Sequence, residues 1–131
     1  METYSFFEKK GRGTVSEFLH SNTETGILKI KVSVLSGVIP IEGKAAVIYK
    51  DFDDGRWIFF SGKTDSSGII DDIELPAPPY RKPTRENVAG AYAVYTVMID
   101  DPNGGSYVSA ADIFSGIKTI KPYDMSVGGR G

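Results

Sequence analysis

The sequence predicts an all-β domain, a sandwich of stacked sheets, on two observations that reinforce each other. From Gly26 onward, short apolar runs follow a period of two, as strands with one face in a core and one in water must. Between those runs, clusters of Gly, Pro, Asn, Asp and Ser recur at fairly regular spacing, the mark of short strands joined by turns.

The first run, Ile27 to Leu35, alternates cleanly: Leu28, Ile30, Val32 and Val34 share one side and Lys29, Lys31 and Ser33 the other, so a half-buried strand is expected. A turn at Pro40 to Gly43 leads into Lys44 to Lys50, where Ala45, Val47 and Tyr49 share a face. The loop Asp51 to Gly55 follows, and its Asp54-Gly55 pair suits the positive φ angles of a tight hairpin. Arg56 to Ser61 holds Trp57, Ile58, Phe59 and Phe60, a density of large apolar side chains that implies cover on both faces or at a sheet edge. After the turn Thr64 to Gly68, Ile69 to Leu75 puts Ile69, Asp71, Ile73 and Leu75 on one face, a mixed pattern. Pro76, Pro78, Pro79 and Pro83 then crowd one segment, and since proline donates nothing to a sheet ladder, 76–90 is expected to be a stiff loop. Ala91 to Ile99 is apolar on both sides and reads as a central strand. The turn Asp101 to Gly105 precedes two shorter strands, Tyr107 to Phe114 and Ile117 to Met125.

Residues 1–25 differ in kind. Thr14-Val15-Ser16-Glu17 fits a capping box, in which hydroxyl and carboxylate satisfy orphan amides at a helix start, with Val15, Phe18 and Leu19 on one face. Ahead of it, Tyr4, Phe6 and Phe7 form an aromatic cluster that water does not favour, so it is expected to fold back on the sandwich or insert into a neighbour. The organisation expected is an extension at 1–25 with a short helix or docking strand, a sandwich at 26–126 and a flexible glycine-rich tail at 127–131.

Composition bounds function. The 131 residues suit one domain at roughly 100 to 200 residues each. A net charge of -2 offers no basic surface to neutralise phosphates, so no nucleic-acid partner is expected. There is no Cys, which removes disulfides, thiolate metal sites and thiol nucleophiles together. The single His, His20, argues against imidazole-rich metal centres and a Ser/His/Asp machine. No apolar stretch approaches the roughly 18 residues of a membrane span, and Met1 to Lys10 carries charges where a signal peptide has its apolar run. Synthesis in the cytoplasm without membrane insertion is the expectation.

Several segments in order resemble a known family. They are Gly26-Ile27-Leu28-Lys29-Ile30-Lys31-Val32, then Pro40-Ile41-Glu42-Gly43-Lys44-Ala45-Ala46-Val47 with one extra residue, then Thr64-Asp65-Ser66-Ser67-Gly68. Ile73-Glu74-Leu75-Pro76-Ala77-Pro78 and Tyr92-Ala93-Val94-Tyr95-Thr96-Val97 complete the set. Across about residues 26–125 the chain resembles the transthyretin-like sandwich of carboxypeptidase regulatory-like domains, in the version found beside peptidoglycan-binding and spore-cortex-lytic modules in Firmicutes. The resemblance implies a transthyretin-like (prealbumin-like) Greek-key sandwich of about seven strands that spaces, docks or adheres without catalysis. Two enzyme families of similar fold do not fit. Hydroxyisourate hydrolases need several His and a Tyr-Arg-Gly-Ser terminus, against Gly128-Gly129-Arg130-Gly131 here, and intradiol dioxygenases hold iron with two His. The intramolecular Lys to Asn or Asp isopeptide bond of some adhesin sandwiches is also not expected. Lys29 and Lys31 fall on the solvent side of the alternation, and Ile99 stands where such adhesins place a Glu.

The remaining polar clusters have structural readings. Asp51-Phe52-Asp53-Asp54-Gly55 lacks the acid spacing of a calcium loop, and the pairs Asp71-Asp72 and Asp100-Asp101 point to opposite strand faces. No metal, cofactor or catalytic residue is expected, and the chain is read as no enzyme. Partner-binding candidates are the aromatics Tyr4, Phe6 and Phe7, then Trp57 and Phe59, which with Phe60 are otherwise core, and Tyr80, Arg81 and Arg85 of the proline-rich loop. The partner expected is protein, the chain itself or a larger spore, virion or cell-envelope assembly. The alternative is cell-wall carbohydrate, peptidoglycan, bound as an accessory domain.

Overall fold

The computed structural model describes residues 13–85, 90–100 and 105–125. Among them, one helix, α1 (Val15–Ser21), precedes eight strands: β1 (Glu24–Val34), β2 (Ile39–Pro40), β3 (Ala45–Phe52), β4 (Gly55–Lys63), β5 (Ile69–Ala77), β6 (Ala93–Asp100), β7 (Ser106–Ile113) and β8 (Lys118–Asp124). The strands form two four-stranded sheets enclosing one core, so the domain is an all-β sandwich. The expected strand number rises to eight because Ile39 and Pro40 pair briefly with Val34 and Ser33.

In the first sheet β1 is central. It pairs with β5 and β2 antiparallel and with β8 in parallel, and Leu28 sits between Ile73 and Thr119. Leu28, Ile30 and Val32 point inward and are at most 1% exposed, as their alternation requires. The second sheet runs β4-β3-β6-β7, wholly antiparallel, with β6 internal. Tyr95, Val97 and Ile99 share one buried apolar core with Leu28, Ile30 and Leu75 of the first sheet.

Two expectations about facing residues and one about where the proline-rich loop begins are corrected. On β3 the core takes Ala46 and Ile48, and the Ala45, Val47, Tyr49 set forms the outer face. On β5 the core takes Ile70, not Ile69, then Ile73 and Leu75, because a register irregularity opposite Leu28 to Ile30, with Asp72 at φ 56, inserts one residue. That strand also runs through Pro76 to Ala77, pairing with Thr25 and Glu24. A proline is tolerated there because β5 ends its sheet, so one side of the strand needs no donor.

A second bulge shapes β4. Ile48 pairs with Phe60 and Tyr49 with Ile58, which leaves Phe59 as the extra residue. Phe59 and Phe60, adjacent in sequence, therefore both pack against the core. Gly62 is required beside them, since a Cβ there would lie 2.7 Å from the Phe60 ring. Turns at one end of the sandwich are tied together by Thr64, whose hydroxyl donates to the Ile41 carbonyl at 2.7 Å and accepts from the Lys44 amide at 2.9 Å.

Gly26 lies where β1 passes under the β7–β8 turn, and a Cβ would press into the Phe114 carbonyl and the Ile113 side chain. Backbone cannot yield as a flexible side chain does, so Gly26→Ala should cost about 1–3 kcal/mol through overpacking. Thermal unfolding should show Tm lower by several degrees, and an unchanged Tm would mean that the turn moves freely.

Candidate interaction surfaces

Each sheet has an outer face, and the two differ in chemistry. On the first sheet Lys29, Lys31, Asp71 and Glu74 face solvent, and Asp71 takes Lys118 at 3.2 Å and Lys29 at 3.9 Å. The Asp71 carboxyl is held below its ordinary range, first by the Asp72 amide and then by Lys118. This is the wetted exterior expected of an antiparallel sheet.

The second sheet's outer face has two cross-strand rows of a different kind. One runs Ser61, Val47, Met98, Val108, and the next runs Ile58, Tyr49, Thr96, Ala110. Ile58 is 57% exposed, Val108 55% and Val94, in the following row, 41%. Tyr49 is nearly covered because the Arg56 guanidinium lies 3.9 Å from its ring centre, while Arg56 also donates to Asp51 through Nε at 2.7 Å. Charged side chains bound the strip, with Lys63 and Asp100 on one side and Arg56, Asp51 and Asp112 on the other.

The open end of the sandwich is closed by α1. Thr14 accepts from the Glu17 amide at 3.2 Å and its own amide donates to the Glu17 carboxylate at 2.9 Å, so the capping box starts the helix. Phe18 then lies 5.4 Å from Phe52, 5.8 Å from Phe59 and 6.0 Å from Tyr95, ring centre to ring centre. Lys50, at a core-facing position of β3, places its Nζ 5.1 Å from the Phe18 ring and 5.5 Å from that of Tyr95, and donates to the Val94 carbonyl. Burial pushes its pKa down. Burial likewise pushes the Tyr95 hydroxyl well up, and that hydroxyl donates to the Pro76 carbonyl.

The acidic hairpin fixes the chain ahead of α1. Asp53 accepts from the Gly13 amide at 2.8 Å and returns a bond from its own amide to the Gly13 carbonyl at 2.9 Å, and Asp54 accepts from the Val15 amide at 3.3 Å. Among the described residues no group of three or more His, Cys, Asp or Glu could hold a metal ion.

The candidate residues fall in different places. Tyr4, Phe6 and Phe7 lie outside the described residues. Trp57 is 49% exposed near the hairpin end of β4, paired with Lys50 beyond the Phe59 bulge, a departure from the core reading. Phe59 is drawn inward, 5.1 Å from the Tyr95 ring, and offers no platform. Tyr80 and Arg81 line a largely apolar pocket of about 200 Å³ with Pro83, Phe114 and Ile117, and Arg85 is exposed farther along the loop. His20 borders a shallow depression lined, among the described residues, by Val15, Ser16, Leu19 and Thr23.

No family model matches the chain, and no curated protein matches it. The surfaces must therefore be interpreted from their own chemistry. Among the described residues no helix is long and apolar enough to cross a membrane. The apolar strip Val47, Ile58, Val94, Met98 and Val108 is a surface that the sequence analysis missed. Its signal was the double-sided apolarity of 91–99, which a two-layer sandwich can satisfy on one side only.

The Tyr95 shift carries a sign. The unfolded phenol titrates near its ordinary value of 10.0 and the folded one higher, so the folded state holds its proton longer and stability falls as pH rises above that value. Tyr95→Phe should cost about 1–2 kcal/mol at neutral pH, because the Pro76 carbonyl loses its donor, and should flatten the decline above about pH 10. Urea unfolding between neutral and alkaline pH reads both effects, and an equally steep decline in the variant would assign the alkaline loss elsewhere.

Proposed function

We propose that the chain is a non-catalytic interaction module, a transthyretin-like Greek-key sandwich that pairs with a second copy of itself through the outer face of its second sheet. The observation that carries this reading is the apolar strip. On the first sheet's outer face the exposed Ile120 stands among Lys29, Lys31, Lys118, Asp71 and Glu74, whereas on the second sheet Ile58, Val47, Met98, Val108 and Val94 adjoin one another between charged rows, the composition of an interface core with its rim.

Magnitude limits the strength of a single contact. Four strands about 4.8 Å apart and four rows about 7 Å apart make a face of roughly 500 Å² in plane. A pair of such faces buries less than the ~1,200 Å² of a standard stable interface, so the contact is weak. A weak contact shows itself only at high concentration.

A second reading, in which the domain holds cell-wall carbohydrate, draws support from the exposed Trp57 and Tyr80 rings, since aromatic faces stack on sugar rings. Retention on purified peptidoglycan that Trp57→Ala abolishes would select it.

The self-association reading makes a direct demand on native mass. Light scattering from about 10 μM to about 1 mM should show the average mass rising with concentration, with affinity in the micromolar range or weaker. Ile58→Lys and Val108→Lys should each return the chain to the monomer at least tenfold further up the concentration range. Ile120→Lys, on β8 of the first sheet, should not. A wild-type chain that stays monomeric throughout, or the same shift from all three substitutions, removes the reading.

A further inference from the structure

We infer that α1 is a latch: the segment Gly13 to Asn22 opens and closes as one unit at the end of the sandwich while both sheets stay folded, and Phe18 is its catch. This concerns a single copy and does not rest on self-association.

The helix closes its own ends. At its start, the capping box of Thr14 and Glu17 supplies partners for the first amides. At its finish, Asn22 donates twice to the Phe18 carbonyl, through its amide at 3.0 Å and its side-chain amide at 2.7 Å, and its own φ and ψ leave the helical range. These hydrogen bonds take nothing from a strand, and no residue of α1 is fully buried.

Two described contacts hold this unit to the sandwich. One is the half-buried Phe18 ring among Phe52, Phe59 and Tyr95. The other is the acidic hairpin, where Asp53 and Asp54 accept from the Gly13 and Val15 amides at the exposed surface. Exposed hydrogen bonds exchange with water at little net gain, so they position the segment and the ring retains it.

The sheets, in turn, are complete without the helix. Every buried residue of the core cluster belongs to a strand, apart from Met125, which follows β8. Beneath the helix, Phe59 lies 5.1 Å from Tyr95 and 6.4 Å from Phe52, ring centre to ring centre, and the Tyr95 hydroxyl and the Lys50 amine donate to the Pro76 and Val94 carbonyls, all without α1. Seven helical residues do not hold in water on their own, so withdrawal of one ring melts the whole segment and opening is a single event. It uncovers a slot of three rings beside the Lys50 amine, and Phe18 shows that this slot accepts a phenyl ring.

Hydrogen exchange under native conditions tests the latch. The amides of Gly13, Val15, Phe18 and Asn22 donate to Asp53, Asp54, Thr14 and Phe18, and they should exchange as a group, about 100-fold or more faster than amides of the internal strands β1 and β6. Low urea should leave the rates of these four nearly unchanged, because a small opening exposes little surface, while it speeds β1 and β6. Phe18→Ala should speed the four at least tenfold and keep the interval to β1 and β6 as wide as before, since the sheets are equally stable once the segment is open. Asp53→Ala should have the smaller effect. Exchange of the four at the rate of β1 and β6 overturns the inference, by making α1 part of one cooperative fold. Four unrelated rates overturn it as well, by reducing opening to fraying, and a larger effect from Asp53→Ala removes Phe18 as the catch.

Discussion

Two sheets of four strands can bury one face each against the other, and every other surface of this domain follows from that limit. The buried faces are filled by Leu28, Ile30 and Val32 of β1, Ile73 and Leu75 of β5 and Tyr95, Val97 and Ile99 of β6. Deleting any of the large ones would leave a cavity costing about 2–5 kcal/mol, a large part of the 5–15 kcal/mol that holds a domain of this size together. The outer faces have no such partner within the described residues. One carries lysines and carboxylates around an exposed Ile120, and the other carries a strip of adjoining apolar side chains, exposed at Ile58, Val94 and Val108.

Legibility in the sequence depended on whether a strand kept its period. On β1 the alternation of apolar residues with Lys29, Lys31 and Ser33 is polar on one side, and the core face was evident before any coordinates. On β3 both Ala45-Val47-Tyr49 and Ala46-Ile48 are apolar, so periodicity gives two parallel answers and only the neighbouring sheet chooses between them. On β5 and β4 a one-residue bulge changes the parity midway, which moves Ile70 inward and sets Phe59 beside Phe60. Nothing in composition marks a bulge, because its cause is the mismatch between two paired strands. The aromatic density at 57–60 was visible, but its division into an exposed Trp57 and a packed Phe59 was not.

The polar residues near α1 show how local chemistry orders a segment that has little core of its own. A seven-residue helix is far below the ~12–15 residues at which helices hold in water, so α1 depends on its cap, its Phe18 contact and its anchors on Asp53 and Asp54. The acidic hairpin thus has a use that neither a calcium loop nor a solubilising turn supplies: its carboxylates accept the first amides of the helix segment. Lys50 works in the same place. Its stem covers apolar surface between Phe18 and Tyr95 while its amine reaches the Val94 carbonyl, which accounts for a lysine on a core-facing position.

Edge and face are coupled in what they permit. An uncovered β4 would offer a hydrogen-bonding ladder to any extended chain, and ladder growth has no fixed stoichiometry. Association through the proposed apolar face would instead be made by side chains, with its register set by the charged rows on either side. An identical face meeting itself closes at two copies, so a larger particle needs a second and different surface. The proline-rich loop offers one at a separate place on the chain: exposed Tyr80 beside Arg81 at a small apolar pocket walled by Phe114 and Ile117, on a backbone whose prolines reduce the entropy lost when it docks. A dimer that later extends through that loop would be ordered by strength, with the larger apolar contact formed first and the smaller one effective only when many copies repeat it.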